Sequence, residues 1–248
     1  MDSAYANKND CSWMSKLKYY AYSSHWATID ALLTALEARD KILPVSLPGF
    51  TATFVIELWK TDAGGFSIRA RYRDNPGDKF RNVTSSLPNC NADFCPYDEF
   101  KKPVKKYYVN DIVKLCNDVP ADWKSTPKKA PETTKQVADE NRTNPKLRVK
   151  RDVGNAGKKT EAQNGEQLIF IQAFWRHGDR TPTGLCPNDK ANVESTWPEG
   201  FGQLTPVGMK QQRRLGSLIY KKYVDELKFV DGTYNAHQVS IVHCIIFL

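Results

Sequence analysis

An α/β fold is predicted for this 248-residue chain by three observations. Leu168-Ile169-Phe170-Ile171-Gln172-Ala173-Phe174 is a nearly continuous apolar run, as in a strand buried on both faces at the centre of a parallel sheet. Ile29, Leu32, Leu33 and Leu36 recur at i, i+3, i+4, i+7, the apolar stripe of a helix. Two β-forming stretches flank Asp62-Ala63-Gly64-Gly65, which reads as a hairpin turn.

The elements follow in three regions. In residues 1–119, Lys18-Tyr19-Tyr20-Ala21-Tyr22 is a short strand ending at Ser23-Ser24-His25-Trp26, and the Ile29–Leu36 helix follows it. Thr53 to Trp59 forms the first arm of the hairpin. In the second arm Phe66, Ile68, Ala70 and Tyr72 alternate with Ser67, Arg69, Arg71 and Arg73, which predicts a half-buried strand with the arginines on a solvated face. Residues 120–166 are rich in Lys, Thr, Pro, Asn and Glu without apolar period, and read as a flexible linker. In residues 167–248 the apolar strand leads into a loop, and Thr205-Pro206 supplies the N-cap and first position of a helix whose apolar face carries Leu215, Leu218 and Ile219.

Composition excludes several classes. Hydrophobic residues make up 40% of the chain, enough for a real core, and no apolar run reaches the length of a membrane span. No secretory signal is visible at Met1-Asp2-Ser3-Ala4-Tyr5. Half of the net charge of +8 sits in the linker, so it is a weak argument for an anionic partner such as nucleic acid. The six cysteines, Cys11, Cys90, Cys95, Cys116, Cys186 and Cys244, include no Cys-x-x-Cys pair, and no metal site is expected. Cys90 and Cys95 are close enough to close a small disulfide loop in an oxidising compartment. The acceptors Asn82-Val83-Thr84 and Asn141-Arg142-Thr143 point to a secreted glycoprotein. Arg148-Val149-Lys150-Arg151 resembles a proprotein convertase site in an exposed tether.

The chemistry concentrates in Arg176-His177-Gly178-Asp179-Arg180-Thr181-Pro182, directly after the apolar strand. Ligands of open α/β sheets bind beyond the carboxyl ends of the strands. Arg176 and Arg180 can each make charge-assisted bonds to phosphate oxygens. Gly178 lets the backbone approach, and an unprotonated His177 can attack phosphorus. Five fixed positions, Arg-His-Gly-x-Arg-x-Pro, are far more specific than any of these residues singly.

This passage resembles the signature of the histidine acid phosphatases, in the phosphoglycerate mutase-like superfamily. Leu204-Thr205-Pro206-Val207-Gly208, Gln211, Leu215-Gly216 and Tyr223 are similar to the helix that follows in that family. Tyr22-Ser23-Ser24-His25 with Thr28, the hairpin through Glu57-Leu58-Trp59 and Tyr72-Arg73-Asp74-Asn75, and Leu-Pro-Asn-Cys…Cys-Pro resemble the family's carboxyl-terminal part. The order is therefore reversed: residues 1–119 resemble the end of one phosphatase and 167–248 the beginning of another, as in a slice of a tandem phosphatase. The expected architecture is pieces of a three-layer α/β sandwich whose middle, the helical cap, is missing.

The resemblance implies hydrolysis of phosphomonoesters through a phosphohistidine at His177, with His25 as a second catalytic residue and Arg176 and Arg180 binding the phosphate. It implies no metal or organic cofactor, a phosphomonoester as partner rather than nucleic acid or membrane, a homodimer as the oligomer to test, and a secreted or lysosomal setting. Two departures bear on activity. The family's proton-donating Asp after the second His is here Trp26. A further phosphate-binding Arg, expected after Val239-Ser240-Ile241, is not found, and His237 and His243 are expected to have no catalytic part. Cys116 resembles a family cysteine whose partner would lie in the missing middle. Impaired catalysis is thus expected, and a non-catalytic anion-binding protein, or a fragment of a larger tandem phosphatase, remains the alternative.

Overall fold

A computed structural model describes residues 15–111 and 166–243. Residues 112–165, which take in all of the expected linker but Glu166, with Asn141 and Arg148–Arg151, lie outside the described residues, as do Cys11, Cys116 and Cys244. The described residues 15–107 and 166–243 fall in one compact unit.

A seven-stranded sheet organises the described residues, in the order β4-β3-β2-β6-β1-β7 with β5 against β3. β1 is Tyr19–Ser24, β2 Thr53–Lys60, β3 Phe66–Arg73, β4 Arg81–Asn82, β5 Cys95–Pro96, β6 Gln167–Arg176 and β7 Val239–His243. β1 runs parallel to both β6 and β7, whereas β2 lies antiparallel to β6 and to β3. The sheet is therefore mixed, and the central strand β6 has one parallel and one antiparallel neighbour. That strand comes from the carboxyl-terminal region and is clasped on both sides by strands of the amino-terminal region. The two regions thus share one sheet.

Helices cover both faces, the layering of an α/β sandwich. On one face α1 (Trp26–Ala35), α2 (Arg39–Ile42) and α3 (Tyr97–Val104) pack with Ile29, Leu33, Phe54, Ile68 and Tyr72. On the other, α4 (Pro206–Tyr220), continued by a π-turn over Lys221–Glu226, sets Ile219 and Tyr223 against Val55, Ile171 and Ala173. Phe54 and Val55 are successive residues of β2 and point to opposite cores, as the period of two requires. The predicted N-cap is present: Gly208 N–H donates to Thr205 Oγ1 at 3.1 Å, with Pro206 opening α4.

One expectation fails. The arginine face of β3 is not solvated: Arg73 is buried, and Arg69 and Arg71 are half-buried. Arg73 is 1% exposed. Arg71 Nε donates to Glu57 Oε1 at 2.7 Å, and Arg69 lies over the Phe94 ring. Glu57, Thr51, the Asp78 carbonyl and the Phe94 ring meet that face, and alternation with charged residues masks burial when the charges find partners. Tyr223 Oη donates to the same Glu57 oxygen at 2.7 Å and Trp59 Nε1 to the other at 3.2 Å, so the buried carboxylate is fully engaged.

Cys90 and Cys95 form a disulfide with Cα atoms 5.0 Å apart, as the spacing suggests. Cys186 is a free, exposed thiol. No helix among the described residues is long and apolar enough to cross a membrane.

Candidate active site

Parallel pairing of β1 and β6 aligns Ser24 with Arg176. The residues that follow, His25 and His177, therefore leave the same edge of the sheet side by side. His177 N–H donates to the Ser24 carbonyl at 3.1 Å, which ties the two strand ends together. The His25 and His177 rings stand edge to face with centroids 5.3 Å apart. His25 is also the N-cap residue of α1, so Trp26 occupies its first turn, 37% exposed.

Arg176, His177 and Arg180 line one open cavity of about 380 Å³, together with Phe50, Thr181, Pro182, Thr183 and Trp197. No carboxylate is among these residues. Arg176 Nη1 donates to the Pro48 carbonyl at 2.8 Å, and its guanidinium lies 4.3 Å from the Phe50 ring centroid. Two guanidinium groups and one imidazole, with no carboxylate among the lining residues, leave the cavity suited to an anion. The nearness of Arg180 and burial both lower the Arg176 pKa, burial more strongly.

His177 is neutral at ordinary pH. Burial, opposed by a bond to the Gly178 carbonyl and assisted by the charges of Arg180, Arg176 and His25, lowers its pKa from 6.5 to about 4. Nδ1 lies 2.7 Å from the Gly178 oxygen. Because a carbonyl only accepts, Nδ1 carries the proton, and the lone pair resides on Nε2. That is the state a nitrogen nucleophile requires.

The loop after His177 rests on the first turn of α4. Thr205 Oγ1 donates to Asp179 Oδ2 at 2.6 Å, and Asp179 N–H donates to Gln211 Oε1 at 2.7 Å. Gln212 Nε2 reaches the Arg176 carbonyl at 3.2 Å. A Cβ on Gly178 would collide with the Gly208 carbonyl, and one on Gly208 with the Asp179 carbonyl. The two glycines are needed for this close backbone approach. Asp179 is thereby committed to the helix cap.

The structure brings all four predicted residues together: three line the cavity, and His25 meets it through the His177 ring. Sequence reasoning missed Pro48, Phe50, Thr51 and Trp197. The first three belong to a turn before β2 whose sequence, Leu47-Pro48-Gly49-Phe50-Thr51, signals only a loop. His237 lies against a separate cavity at the opposite end of the strands, with Lys18 and Phe229. Among the described residues no group of His, Cys, Asp and Glu could hold a metal ion.

A neutral histidine thus stands between two arginines at the end of a parallel strand of an α/β sheet. Comparison with known proteins gives likenesses to one class of enzyme. Residues 167–242 match the histidine phosphatase superfamily (branch 2). The chain is 45% identical to the prostatic acid phosphatase of Homo sapiens over 76 residues, which is 31% of this chain and 19% of that protein. It is 41% identical over 75 residues to the lysosomal acid phosphatase of Xenopus laevis, 30% of this chain and 16% of that one. A putative acid phosphatase of Caenorhabditis elegans is 34% identical over 116 residues, 45% of this chain and 27% of the relative. No solved structure matches. Residues 167–242 are thus similar to histidine phosphatases of branch 2, and the likeness to acid phosphatases covers less than half of the chain. The chain spans about a fifth of the length of the prostatic enzymes it matches.

Proposed function

We propose that the chain binds phosphomonoesters at the His177 loop and accepts their phosphoryl group on His177, with turnover of alkyl esters impaired. The observation that carries this reading is the meeting of neutral His177 with Arg176 and Arg180 in one cavity free of carboxylates. In the first step the Nε2 lone pair attacks phosphorus in line, the N–P bond forms, and the ester P–O bond breaks with its electrons leaving on the alcohol oxygen. Arg176, Arg180 and His25 neutralise the equatorial oxygens. Water then attacks the phosphohistidine, and phosphate and free His177 result. Phosphoryl transfer rests on positioning and charge neutralisation, which this cavity offers. The route requires no metal or organic cofactor.

The impairment resides at Trp26. The family resemblance implies a proton-donating Asp at that position, and an indole N–H is no acid for a leaving alkoxide. Aryl esters, whose leaving group needs no proton, are the substrates such a site can still cleave. The same residue favours a second reading, a phosphate-binding protein without turnover.

We further propose that residues 1–119 correspond to the carboxyl-terminal part and 167–248 to the amino-terminal part of the family domain, joined in reverse order. Pairing of β1 with β6 supports this, since it restores two histidines to one sheet edge. A secreted or lysosomal glycoprotein is in keeping with the Cys90–Cys95 bridge and with the lysosomal and prostatic relatives. Hydrolysis of p-nitrophenyl phosphate at acid pH, abolished by His177→Ala, tests the reading. Phosphate binding without hydrolysis would select the second one.

A further inference from the structure

Thr51 adopts φ = 56° and is wholly buried. For a β-branched residue the left-handed region is costly, and such backbone persists only where its surroundings hold it. The holding group is Arg73, at the end of β3. Its Nη1 donates to the Thr51 carbonyl at 3.0 Å and to Thr51 Oγ1 at 3.1 Å. Thr53 Oγ1 adds a bond to the same carbonyl at 2.9 Å.

On its other side the turn grips the site. Thr51 N–H donates to the His177 carbonyl at 3.1 Å, and Arg176 N–H donates to the Ala52 carbonyl at 2.9 Å. Arg176 Nη1 ends on the Pro48 carbonyl. The turn from Pro48 to Ala52 therefore holds the main chain of both residues and the side chain of one.

Arg73 itself is an expensive way to close a sheet end. Its side chain is 1% exposed, it makes no ion pair among the described residues, and its Nη2 has no hydrogen-bond partner among them. Nε is used on the Asp78 carbonyl at 3.2 Å. Burial, then the neighbouring Arg214, lower its pKa. An apolar side chain would seal the same position without burying a charge. Local expense of this kind is characteristic of functional sites.

We propose that Arg73 is a positioning residue of the His177 site: by clamping Thr51 in its left-handed conformation it fixes the turn that orients Arg176 and His177. This rests on the reading of the site as a phosphate-binding one. The test uses the full chain, inorganic phosphate as probe in calorimetry, and the ring signals of 15N-labelled histidine. Folded Arg73→Met should bind phosphate about tenfold or more weakly and shift the His177 ring signals, and Arg73→Lys should recover part of both. A folded Arg73→Met with wild-type affinity and unchanged His177 signals overturns the proposal. Should that variant not fold, Arg73→Lys decides, because a single ammonium cannot span the Thr51 and Asp78 carbonyls as the guanidinium does. The folded variant should bind phosphate several-fold more weakly than wild type; unchanged affinity overturns the clamp. Absence of phosphate binding by the wild type refutes the parent reading instead, and the His177 signals of Arg73→Met then judge Arg73 alone.

Discussion

The rings of His25 and His177 meet edge to face, 5.3 Å between centroids, although one follows the first strand of the chain and the other the sixth. Nothing local brings them together. The contact follows from the parallel register of β1 and β6, which sets Ser24 opposite Arg176. The meeting of the two rings at this edge depends on that register: a slip by one residue would turn every side chain to the opposite face.

His177 should set a pH dependence of stability. Its folded pKa of about 4 lies below the ordinary 6.5, because burial chiefly disfavours the imidazolium. The unfolded chain therefore takes up this proton first as pH falls. The contribution is whole above pH 6.5 and is lost progressively down to about pH 4. The ring is half-buried, so solvent screening keeps the slope modest. Denaturant midpoints across this range should fall less steeply for His177→Asn than for wild type. Equal slopes would show that His177 titrates at its ordinary value.

Gly208→Ala should damage both fold and site. Its methyl group would collide with the Asp179 carbonyl, backbone that is itself held by Thr205 and Gln211. Overpacking of this kind costs about 1–3 kcal/mol. Chemical denaturation should register that loss, and phosphate binding should weaken because the displaced loop carries Arg180. Gly216→Ala is the control, since a Cβ there meets nothing within 4 Å.

The buried carboxylate of Glu57 predicts an asymmetry. Removing Arg71, its ion-pair partner at 2.7 Å, leaves a charge buried without compensation. Arg71→Met should cost about 3–5 kcal/mol. Tyr223→Phe removes one hydrogen bond to the same oxygen and should cost about 1–3 kcal/mol. Since Tyr223 belongs to the carboxyl-terminal region and Glu57 to the amino-terminal one, both losses should appear in a single unfolding transition. Separate transitions for the two regions would contradict the shared sheet.

Much of this architecture was legible in the residues. The β6 run, the helical stripe from Ile29 to Leu36 and the Thr205-Pro206 cap announce themselves through period and capping chemistry. The Arg176–Arg180 passage likewise names its own chemistry. What was not legible depends on tertiary partners. The arginines of β3 alternate as a solvated face would, yet Glu57 and Thr51 receive two of them and the Phe94 ring the third. The turn at Pro48–Ala52 carries no catalytic residue type, and the left-handed Thr51 breaks the rule by which such positions are found, since a glycine is expected there. Its importance appears only when the main-chain bonds to Arg176 and His177 are seen.

Trp26→Asp should change substrate selectivity. General acid help is typically worth about 10²- to 10⁴-fold, and a stable aryl oxide gains little from it. The wild type should cleave p-nitrophenyl phosphate far better than a sugar or serine phosphate. In the folded variant alkyl turnover should rise much more than aryl turnover. An unchanged aryl-to-alkyl ratio would mean that Trp26 does not occupy the proton donor's place.

The most direct measurement is of the covalent intermediate. The full chain, incubated with an aryl phosphate at acid pH and quenched in alkali, where phosphohistidine survives, is digested and sequenced by mass spectrometry. One phosphoryl group is expected on His177, absent from His177→Ala and diminished in Arg180→Met. A chain that releases phosphate with His177 unmodified, or that carries the phosphoryl group on another residue, would contradict the proposed function.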